Sequence, residues 1–202
     1  TNSGTKYLAA NLYMEYEKTF GGIHYFKGLL GYNYEQSVFN SLSSFRNGLI
    51  FPDAESLSLA SGGSVKIDNS YNKWRIAGTF FRFNYNYKER YLLEVNGRLD
   101  GSSKFPENEQ VGFFPSVSAA WRLTEEPFWK VNPNGISNLK IRGSYGSLGN
   151  GNVAPYSFME LFNIQTMNRL ISGNLQQATS VPPVIPDGLT WETATTGNIG
   201  LD

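Results

Sequence analysis

Few residues of this chain have the types and spacing that enzyme chemistry requires. His24 is the only histidine, so a histidine-based triad or a site with several histidine ligands is excluded. Glu125 and Glu126 are adjacent, whereas glycoside hydrolysis needs two carboxyl groups that face each other across roughly 5–10 Å. Adjacent residues of a turn point apart, so we interpret this pair as a solvated turn. We interpret His24 as a solvated residue at the start of a strand.

Two further patterns could hold a ligand. Asp100-Gly101-Ser102-Ser103 offers closely spaced oxygen atoms, but calcium takes about six to eight oxygen ligands and few acidic residues lie nearby. Residues 143–151 contain several glycines, but they end a predicted strand, whereas a phosphate-binding loop opens a helix. We therefore predict no catalytic residue, no cofactor and no metal site, and we expect that the protein is not an enzyme.

The composition narrows the classes of partner. Seventeen basic and seventeen acidic residues cancel, so the chain lacks the positive charge expected of a nucleic-acid binder. It has no cysteine, hence no disulfides and no thiolate zinc ligands. No apolar run reaches about eighteen residues, which excludes a helical membrane span. Aromatic residues make up 15% of the chain, which favours β-structure with aromatic belts at a membrane interface.

The elements that could position polar side chains are strands with two different faces, best seen in residues 90–122. Apolar and polar residues alternate along both arms of this stretch, which predicts a β-hairpin. Residues 100–112 between the arms are rich in Gly, Ser, Pro and Asn and predict a turn. Each arm is about ten residues long, as a tilted strand needs to cross a bilayer. Strands of soluble sheets are usually nearer five or six residues.

The same alternation recurs along the chain and predicts seven strands. They cover residues 6–16, 23–36, 74–87, 91–100, 116–124, 139–147 and 191–202. Long irregular stretches are predicted at 37–73 and 148–189, with a short helical turn near 124–130. Outer-membrane barrels have short periplasmic turns and longer extracellular loops. We therefore assign residues 19–22, 88–90 and 125–138 to the periplasm and residues 37–73, 101–112 and 148–189 to the outside.

The strand parity predicts which side chains meet lipid and which meet water. The residues expected to face lipid are Phe83, Tyr85, Leu93, Val95, Val117 and Ile141. The charged residues expected to face the lumen are Arg82, Glu94, Arg98, Asp100, Arg122, Lys140, Arg142 and Glu192. An aromatic cluster is expected at the periplasmic level, formed by Tyr16, Phe20, Tyr25, Tyr85, Tyr87, Tyr91, Phe128 and Trp129. We expect solute and partner contacts mainly in the long loops, because function concentrates in loops on a rigid scaffold.

Four sequence blocks resemble the barrel of SusC/RagA-type TonB-dependent receptors. They are RYLLEVNGRLDGSSKF (90–105), GFFPSVSAAWRLTEEPF (112–128), LKIRGSYGSLGN (139–150) and LTWETATTGNIGLD (189–202). The resemblance implies an antiparallel transmembrane β-barrel of 22 strands, of which residues 1–202 would form about seven strands as a partial barrel domain. The family's plug and its TonB-contacting segment have no counterpart in these residues. The first residues also lack signal-peptide features, so either a signal was removed or the chain is an internal piece.

The resemblance implies a multi-pass protein of the Gram-negative outer membrane that takes part in active transport. It implies import of glycans, oligosaccharides or peptides with a SusD-like surface lipoprotein, driven by the TonB complex through the absent N-terminal region. An alternative is a soluble carbohydrate-binding β-sandwich that uses Trp74, Trp191 and loop tyrosines as sugar platforms. A barrel enzyme is disfavoured because the chain offers no nucleophile and base pair. The sequence does not name the transported solute.

Overall fold

The chain folds into one antiparallel sheet with a small separate hairpin, which confirms the all-β prediction. The computed structural model describes residues 1–51, 56–130, 136–162, 164–171, 173–182, 184–185 and 188–202. The strands are β1 (Asn2–Phe20), β2 (His24–Arg46), β3 (Val65–Tyr87), β4 (Tyr91–Ser102), β5 (Val111–Arg122), β6 (Lys140–Asn150), β7 (Ile164–Ile171), β8 (Asn174–Thr179) and β9 (Glu192–Leu201). The main sheet has seven strands in the order β1-β2-β3-β4-β5-β6-β9, and β7 pairs only with β8. Among the described residues, no helix is long and apolar enough to cross a membrane.

Strands β2 and β3 are much longer than predicted. They pair without interruption from His24 opposite Tyr87 to Arg46 opposite Val65. The prediction that residues 37–73 are irregular is therefore wrong at both ends, and the connection shrinks to residues 47–64. Periodicity missed these ends because they are rich in Ser and Asn and alternate only over residues 65–68, although backbone pairing needs no apolar side chains. Residues 52–55 of this connection lie outside the described residues.

The predicted irregular stretch 148–189 also contains regular structure. Strand β6 continues to Asn150, and β7 and β8 form a hairpin within the stretch. The prediction is wrong for these segments and holds for the remainder that is described. Residues 163, 172, 183, 186 and 187 lie outside the described part, as do residues 131–135 of the predicted periplasmic loop. The predicted helical turn is present as a single 3₁₀ turn at Leu123–Glu125.

Tight turns connect β1 to β2 and β3 to β4, as predicted. Gly21 and Gly22 have φ angles of +57° and +69°, a region that glycine enters without the steric cost of a side chain. The turn after β3 has no glycine, and Lys88 and Glu89 adopt φ angles of +52° and +57°. Left-handed backbone costs a non-glycine residue about 1–2 kcal/mol. The long paired strands on either side hold this turn in place.

The strand register defines two faces of the main sheet. The even-numbered residues of β1 and β2 and the odd-numbered residues of β3 to β6 and β9 lie on one side of the sheet, which we call the apolar face. The remaining residues of these strands lie on the other side, which we call the polar face. One row across the apolar face consists of Tyr16, Gly28, Phe83, Val95, Val117, Tyr145 and Gly197. All six residues expected to meet lipid lie on the apolar face.

The apolar face is the exposed one, the reverse of a soluble β-protein. On β5, Phe113 on the apolar face is 55% exposed, whereas Phe114 on the polar face is 9% exposed. A β-sandwich covers the apolar face of each sheet with a second sheet. Among the described residues the main sheet has no such cover, since β7 and β8 pair only with each other. The sandwich alternative is therefore wrong for this chain.

An aromatic belt runs across the apolar face where the strands meet the short turns. The imidazole of His24 lies 4.9 Å from the Tyr87 ring, and the Tyr87 and Tyr91 ring centres are 6.3 Å apart. Trp121 follows at 6.3 Å from Tyr91. Of the predicted cluster, Tyr25 lies instead on the polar face, and Tyr16 lies four residues before Phe20 in β1, farther from the turn than the belt. Such belts mark the polar boundary of a bilayer.

Candidate functional site

The candidate site is the polar face of the sheet. The register places all eight predicted charged residues on this face: Arg82, Glu94, Arg98, Asp100, Arg122, Lys140, Arg142 and Glu192. They do not form one cluster. Seven of them form three groups that are held by hydrogen bonds and ion pairs, and Glu192 lies apart.

The first group joins three strands around Arg98. Its Nε atom donates to Asp100 Oδ2 at 2.6 Å, and its Nη2 atom donates to Asn33 Oδ1 at 2.9 Å. Its guanidinium group also lies over the Phe80 ring, 5.7 Å from the ring centre. Asp100 and Asn33 are buried, so the acceptor atoms of these charge-assisted bonds lie away from bulk water, whereas the Arg98 side chain is partly exposed. The parity of β2 could have identified Asn33 as a member of this group.

Gly78 makes room for the Arg98 group. A Cβ atom at this position would collide with Asp100 Oδ1 and would lie 2.6 Å from Asn33 Oδ1 and 3.1 Å from Arg98 Nη2. Only a residue without a side chain lets the carboxylate and the amide approach from both neighbouring strands. No pattern in the sequence distinguishes Gly78 from other strand glycines, because its role depends on which residues the register brings opposite it.

We expect Gly78→Ala to lower the free energy of unfolding by about 1–3 kcal/mol, the usual cost of adding a methyl group to a filled site. The added Cβ would push the Asp100 carboxylate away from Arg98. Gly101→Ala is the matched control, because its nearest neighbour would be the Ala77 carbonyl oxygen at an ordinary 3.8 Å. Urea unfolding of the full-length receptor, followed by its gel mobility, would measure both. Equal midpoints for the two variants would contradict this role of Gly78.

The second group lies in the middle of the polar face. Arg82 Nε donates to Asn96 Oδ1 at 2.9 Å, and Asn96 Nδ2 donates to Glu94 Oε1 at 2.7 Å. The same amide nitrogen lies 3.3 Å from Ser116 Oγ. A cavity of about 530 Å³ lies beside this group and includes Arg82 and Arg98 in its wall. Cation, amide, hydroxyl and carboxylate thus line one continuous surface.

The third group lies near the short turns. Lys140 Nζ and Arg142 Nε contact the Asp202 carboxylate at 2.7 and 3.2 Å. Arg122 Nη1 lies 3.6 Å from Glu89 Oε2 in the turn after β3. A second cavity, of about 490 Å³, is lined by Tyr25, Asn84, Asn86, Glu94, Ser118 and Arg142, among others. Glu192 is separate from all three groups and accepts a hydrogen bond from Asn150 Nδ2 at 2.9 Å.

The Asp100-Gly101-Ser102-Ser103 segment has protein partners for most of its side-chain oxygens. Asp100 pairs with Arg98, Ser102 Oγ accepts from the Lys104 amide at 3.3 Å, and Ser103 Oγ accepts from the Arg75 amide at 2.9 Å. Across the described residues, no group of three or more His, Asp or Glu side chains is arranged to hold a metal. The segment anchors the end of β4 to β3.

Beyond that segment the chain turns back onto the polar face and inserts an aromatic side chain. Phe105 is fully buried, and its ring lies 5.1 Å from that of Trp191. The Trp191 indole packs against Phe114 at 5.4 Å and donates its N–H to the Gln110 carbonyl at 3.0 Å. Trp191 is therefore occupied by packing and is not the free sugar platform of the sandwich alternative. No sequence pattern marks Phe105 for this role, since a lone Phe in a polar turn carries no periodic signal.

Trp74, the other tryptophan of that alternative, also has neighbours. Lys104 Nζ lies 5.0 Å from the centre of its ring, and the Tyr7 ring centre is 6.4 Å away. A cation over an indole ring contributes roughly 0.5–2 kcal/mol. These contacts tie the turn after β4 to strands β1 and β3.

Glu126 is not the solvated residue that the sequence suggested. It is 8% exposed, and it accepts hydrogen bonds from Trp121 Nε1 at 3.0 Å and Arg90 Nη1 at 3.5 Å. Its neighbour Glu125 is exposed, as predicted. His24 also differs from prediction, because it is half-buried and its Nδ1 atom lies 2.8 Å from the Tyr85 hydroxyl. Both corrections arise because partners distant in sequence meet at the short turns.

Hydrogen bonds lower the pKa of the Glu126 carboxyl from its ordinary value. The largest cause is the Tyr91 hydroxyl, followed by the Trp121 indole, and together they outweigh burial, which acts in the opposite direction. A carboxyl whose pKa is lower in the folded state stabilises the fold above its unfolded-state pKa. That contribution is lost as the pH falls through the folded-state pKa.

We therefore expect Glu126→Gln to destabilise the receptor at pH 7 and to have a shrinking effect as the pH is lowered below about 4. Urea midpoints of both proteins, measured from pH 7 to pH 3, would test this. Glu125→Gln is the control, because Glu125 is exposed. A difference between wild type and Glu126→Gln that is the same at every pH would contradict the assignment.

Comparison with known proteins decides the family. A family model for "TonB dependent receptor-like, beta-barrel" matches residues 1–202. The chain belongs to this family. TonB-dependent receptor P3 of Formosa agariphila is 30% identical over 98% of the chain, and TonB-dependent receptor SusC of Bacteroides thetaiotaomicron is 35% identical over 61%. The structure of the RagAB peptide transporter superposes with a TM-score of 0.78 over 98% of the chain, at 21% identity.

These comparisons confirm the resemblance to SusC/RagA-type receptors and the transmembrane barrel fold. The TonB-dependent receptors of this family are outer-membrane transporters and not enzymes, so the chain is assigned to the outer membrane. The chain spans only part of these proteins: 19% of P3, 12% of SusC and 22% of the RagAB chain. The open seven-stranded sheet therefore corresponds to a section of a TonB-dependent receptor barrel.

Proposed function

We propose that this chain forms part of the wall of an active importer, with its polar face lining the lumen. The observation that carries the proposal is the inverted distribution of charge between the faces. From the aromatic belt to the end of β4, Lys18 is the one lysine, arginine or carboxylate on the apolar face among the described residues. The polar face over the same height carries six of the eight predicted residues, and Arg122 and Lys140 lie on it in the row just beyond the belt. The apolar face can therefore contact lipid, whereas the charged polar face requires contact with water.

The proposed orientation places the short turns in the periplasm. Residues 21–23, 88–90 and 123–139 form the connections at one end, and residues 47–64, 103–110 and 151–191 form those at the opposite end. Two of the three connections at the first end are tight turns, and the two longest connections lie at the opposite end. Outer-membrane barrels have short periplasmic turns and long external loops. The aromatic belt beside the short turns is consistent with this orientation. Residues 1–202 would then be a partial barrel domain, completed by strands and a plug from elsewhere in the receptor.

The proposed cargo is a glycan, an oligosaccharide or a peptide. The polar face presents guanidinium, amide, hydroxyl and carboxylate groups side by side, as in the chain of hydrogen bonds from Arg82 to Ser116. Such groups exchange hydrogen bonds with sugar hydroxyls and with peptide groups alike. The similarity to SusC and to the RagAB peptide transporter supports this cargo class. It also supports a SusD-like lipoprotein as partner and the TonB complex as the energy source.

Cysteine labelling tests which face lines the lumen. Residues 1–202 contain no cysteine, and Ser118 and Val117 are adjacent on opposite faces of β5. In full-length receptor freed of other cysteines and placed in lipid nanodiscs, a charged thiol reagent should modify Ser118→Cys at least tenfold faster than Val117→Cys. Attaching a bulky reagent to Ser118→Cys should also block uptake of the oligosaccharide or peptide that the receptor imports. Faster labelling of Val117→Cys would overturn the proposal.

A further inference from the structure

The first three strands continue well beyond the rest of the sheet. Strand β4 ends at Ser102, which pairs with Ile76, yet β3 begins at Val65. Residues 65–75 of β3, with their partners in β2 and the first residues of β1, form an extension. About eleven residues at roughly 3.3 Å each give it a length on the order of 35 Å. Under the proposed orientation, this extension stands outside the cell.

The residues of the apolar face show where the membrane boundary lies relative to this extension. Its apolar band runs from the belt row of Phe20 and Tyr87 to the row of Ala10 and Ala77, and Lys18 is the one charged residue within it among the described residues. The band covers about ten residues along tilted strands, as expected of an apolar zone roughly 25 Å tall. Lys18 lies at its periplasmic edge, with its ammonium group 5.1 Å from the centre of the Phe20 ring. The extension therefore begins at the level of the outer-leaflet headgroups.

Only basic charges lie on the apolar face just beyond this band. Arg75 is opposite Gln36 in the first row, and Lys6 and Lys73 flank Val38 in the next row. Lys6 and Lys73 are therefore about 10 Å apart, with one strand between them. Arg75 Nε donates to Gln36 Oε1 at 3.0 Å, and none of the three basic residues forms an ion pair among the described residues.

The acidic residues of the same region lie on the other face. Glu35 accepts a hydrogen bond from Tyr7 at 2.9 Å on the polar face, and Asp68 pairs there with Lys66 at 3.2 Å. The extension thus presents balanced charge to the lumen side and purely positive charge to the outer side. A surface of one sign beside a membrane attracts lipids of the opposite sign.

A groove continues from Lys6 along the outer side of the extension. Its volume is about 610 Å³, and its walls include Lys6, Val38, Asn40, Leu42 and Tyr71. The Tyr71 side chain is 56% exposed. An exposed aromatic ring beside an amide and a lysine offers both a stacking surface and hydrogen bonds to a sugar. Lys6 in the groove wall, with Lys73 and Arg75 in the adjoining rows of the same face, suits phosphate oxygens.

We propose that this surface binds the headgroup of a phosphorylated glycolipid of the outer leaflet. The phosphates would contact Lys6, Lys73 and Arg75, and the sugar would lie in the groove beside Tyr71. The acyl chains would continue down the apolar band toward Leu12 and Tyr32. The site rests on the outward position of the apolar face and on the proposed orientation. It differs from the solute path, which lies on the polar face.

Native mass spectrometry of the full-length receptor in detergent tests the proposal, with a bis-phosphorylated diglucosamine lipid as probe. Each basic residue near a charged lipid surface contributes roughly fivefold in affinity. The Lys6→Ala, Lys73→Ala, Arg75→Ala triple variant should therefore bind the probe on the order of 100-fold more weakly. Lys66→Ala is the matched control, since Lys66 belongs to the same extension but faces the other side. Unchanged binding by the triple variant would overturn the proposal.

Two further measurements separate the alternatives. A triple variant that exchanges the three residues but keeps their charge (Lys6→Arg, Lys73→Arg, Arg75→Lys) should retain binding within about fivefold, which excludes misfolding as the cause of any loss. The dephosphorylated lipid should bind the wild-type receptor no more tightly than it binds the alanine triple variant. Displacement of the intact lipid by millimolar inorganic phosphate alone would show a site for free anions and overturn the lipid assignment.

The orientation is tested independently of lipid binding. Gly63 is exposed, and a side chain there would meet nothing within 4 Å, so an epitope tag can be inserted beside it. Antibody should label the tag on intact cells. Labelling only after the outer membrane is permeabilised would overturn the proposed orientation and place the basic residues at the inner leaflet. Lipid affinity would then be unaffected, so the two failures are distinguishable.

Discussion

Phe83→Arg is expected to lower the free energy of unfolding by about 2–4 kcal/mol, the cost of a cation on the lipid side of a barrel near mid-membrane. Phe83 lies in the row of Val95 and Val117, near the middle of the apolar band that runs along β3 from Tyr87 to Ala77. Its ring packs edge-on against Phe26, with the ring centres 4.5 Å apart. Arginine would remove this contact and present a charge to hydrocarbon.

Asn84→Arg is the matched control for this substitution. Asn84 is the next residue of β3, faces the opposite side and lies beside Glu94 in a cavity of about 490 Å³. A new cation there meets water, the Glu94 carboxylate on one side and Lys27, itself paired with Glu15, on the other. The change should therefore cost far less than Phe83→Arg. Refolding of the full-length receptor into lipid vesicles, titrated with urea, would measure both variants. Comparable destabilisation of the two would contradict the assignment of the faces.

Residues 1–202 expressed alone are expected to aggregate or be degraded and to form no pore. The sheet is open, and in the described part β1 and β9 are each paired on one side only. Both strands run toward the same end, where β1 enters the turn at Gly21 and Leu201 of β9 pairs beside the start of β6. They cannot close the sheet as antiparallel neighbours. Each unpaired backbone group costs several kcal/mol in hydrocarbon.

Exposed strand edges of this length pair with other chains when nothing covers them. Size-exclusion chromatography of the refolded segment in detergent should therefore show broad, high-mass species. The full-length receptor, refolded in the same detergent, is the control and should elute as one defined species. A monodisperse, detergent-free monomer of residues 1–202 with a cooperative melt would contradict the open-barrel interpretation.

The alternation of residue types by itself determined the fold class and the two faces. Strands such as β4 and β5 separate two environments, and a period of two residues then appears directly in the order of apolar and polar side chains. The eight charged residues could be assigned to one face in this way, and the register places them there. The family was identifiable because its sequence blocks are long and lie in the expected order.

Tertiary structure decided everything that depends on which strand lies opposite which. The space that Gly78 leaves for the Asp100 carboxylate, the burial of Glu126 and the insertion of Phe105 beside Trp191 all join residues far apart in sequence. The extension of β2 and β3 was hidden for a different reason. Its Ser- and Asn-rich strands are held by backbone hydrogen bonds, which do not depend on side-chain type, so only the short alternation at residues 65–68 records them.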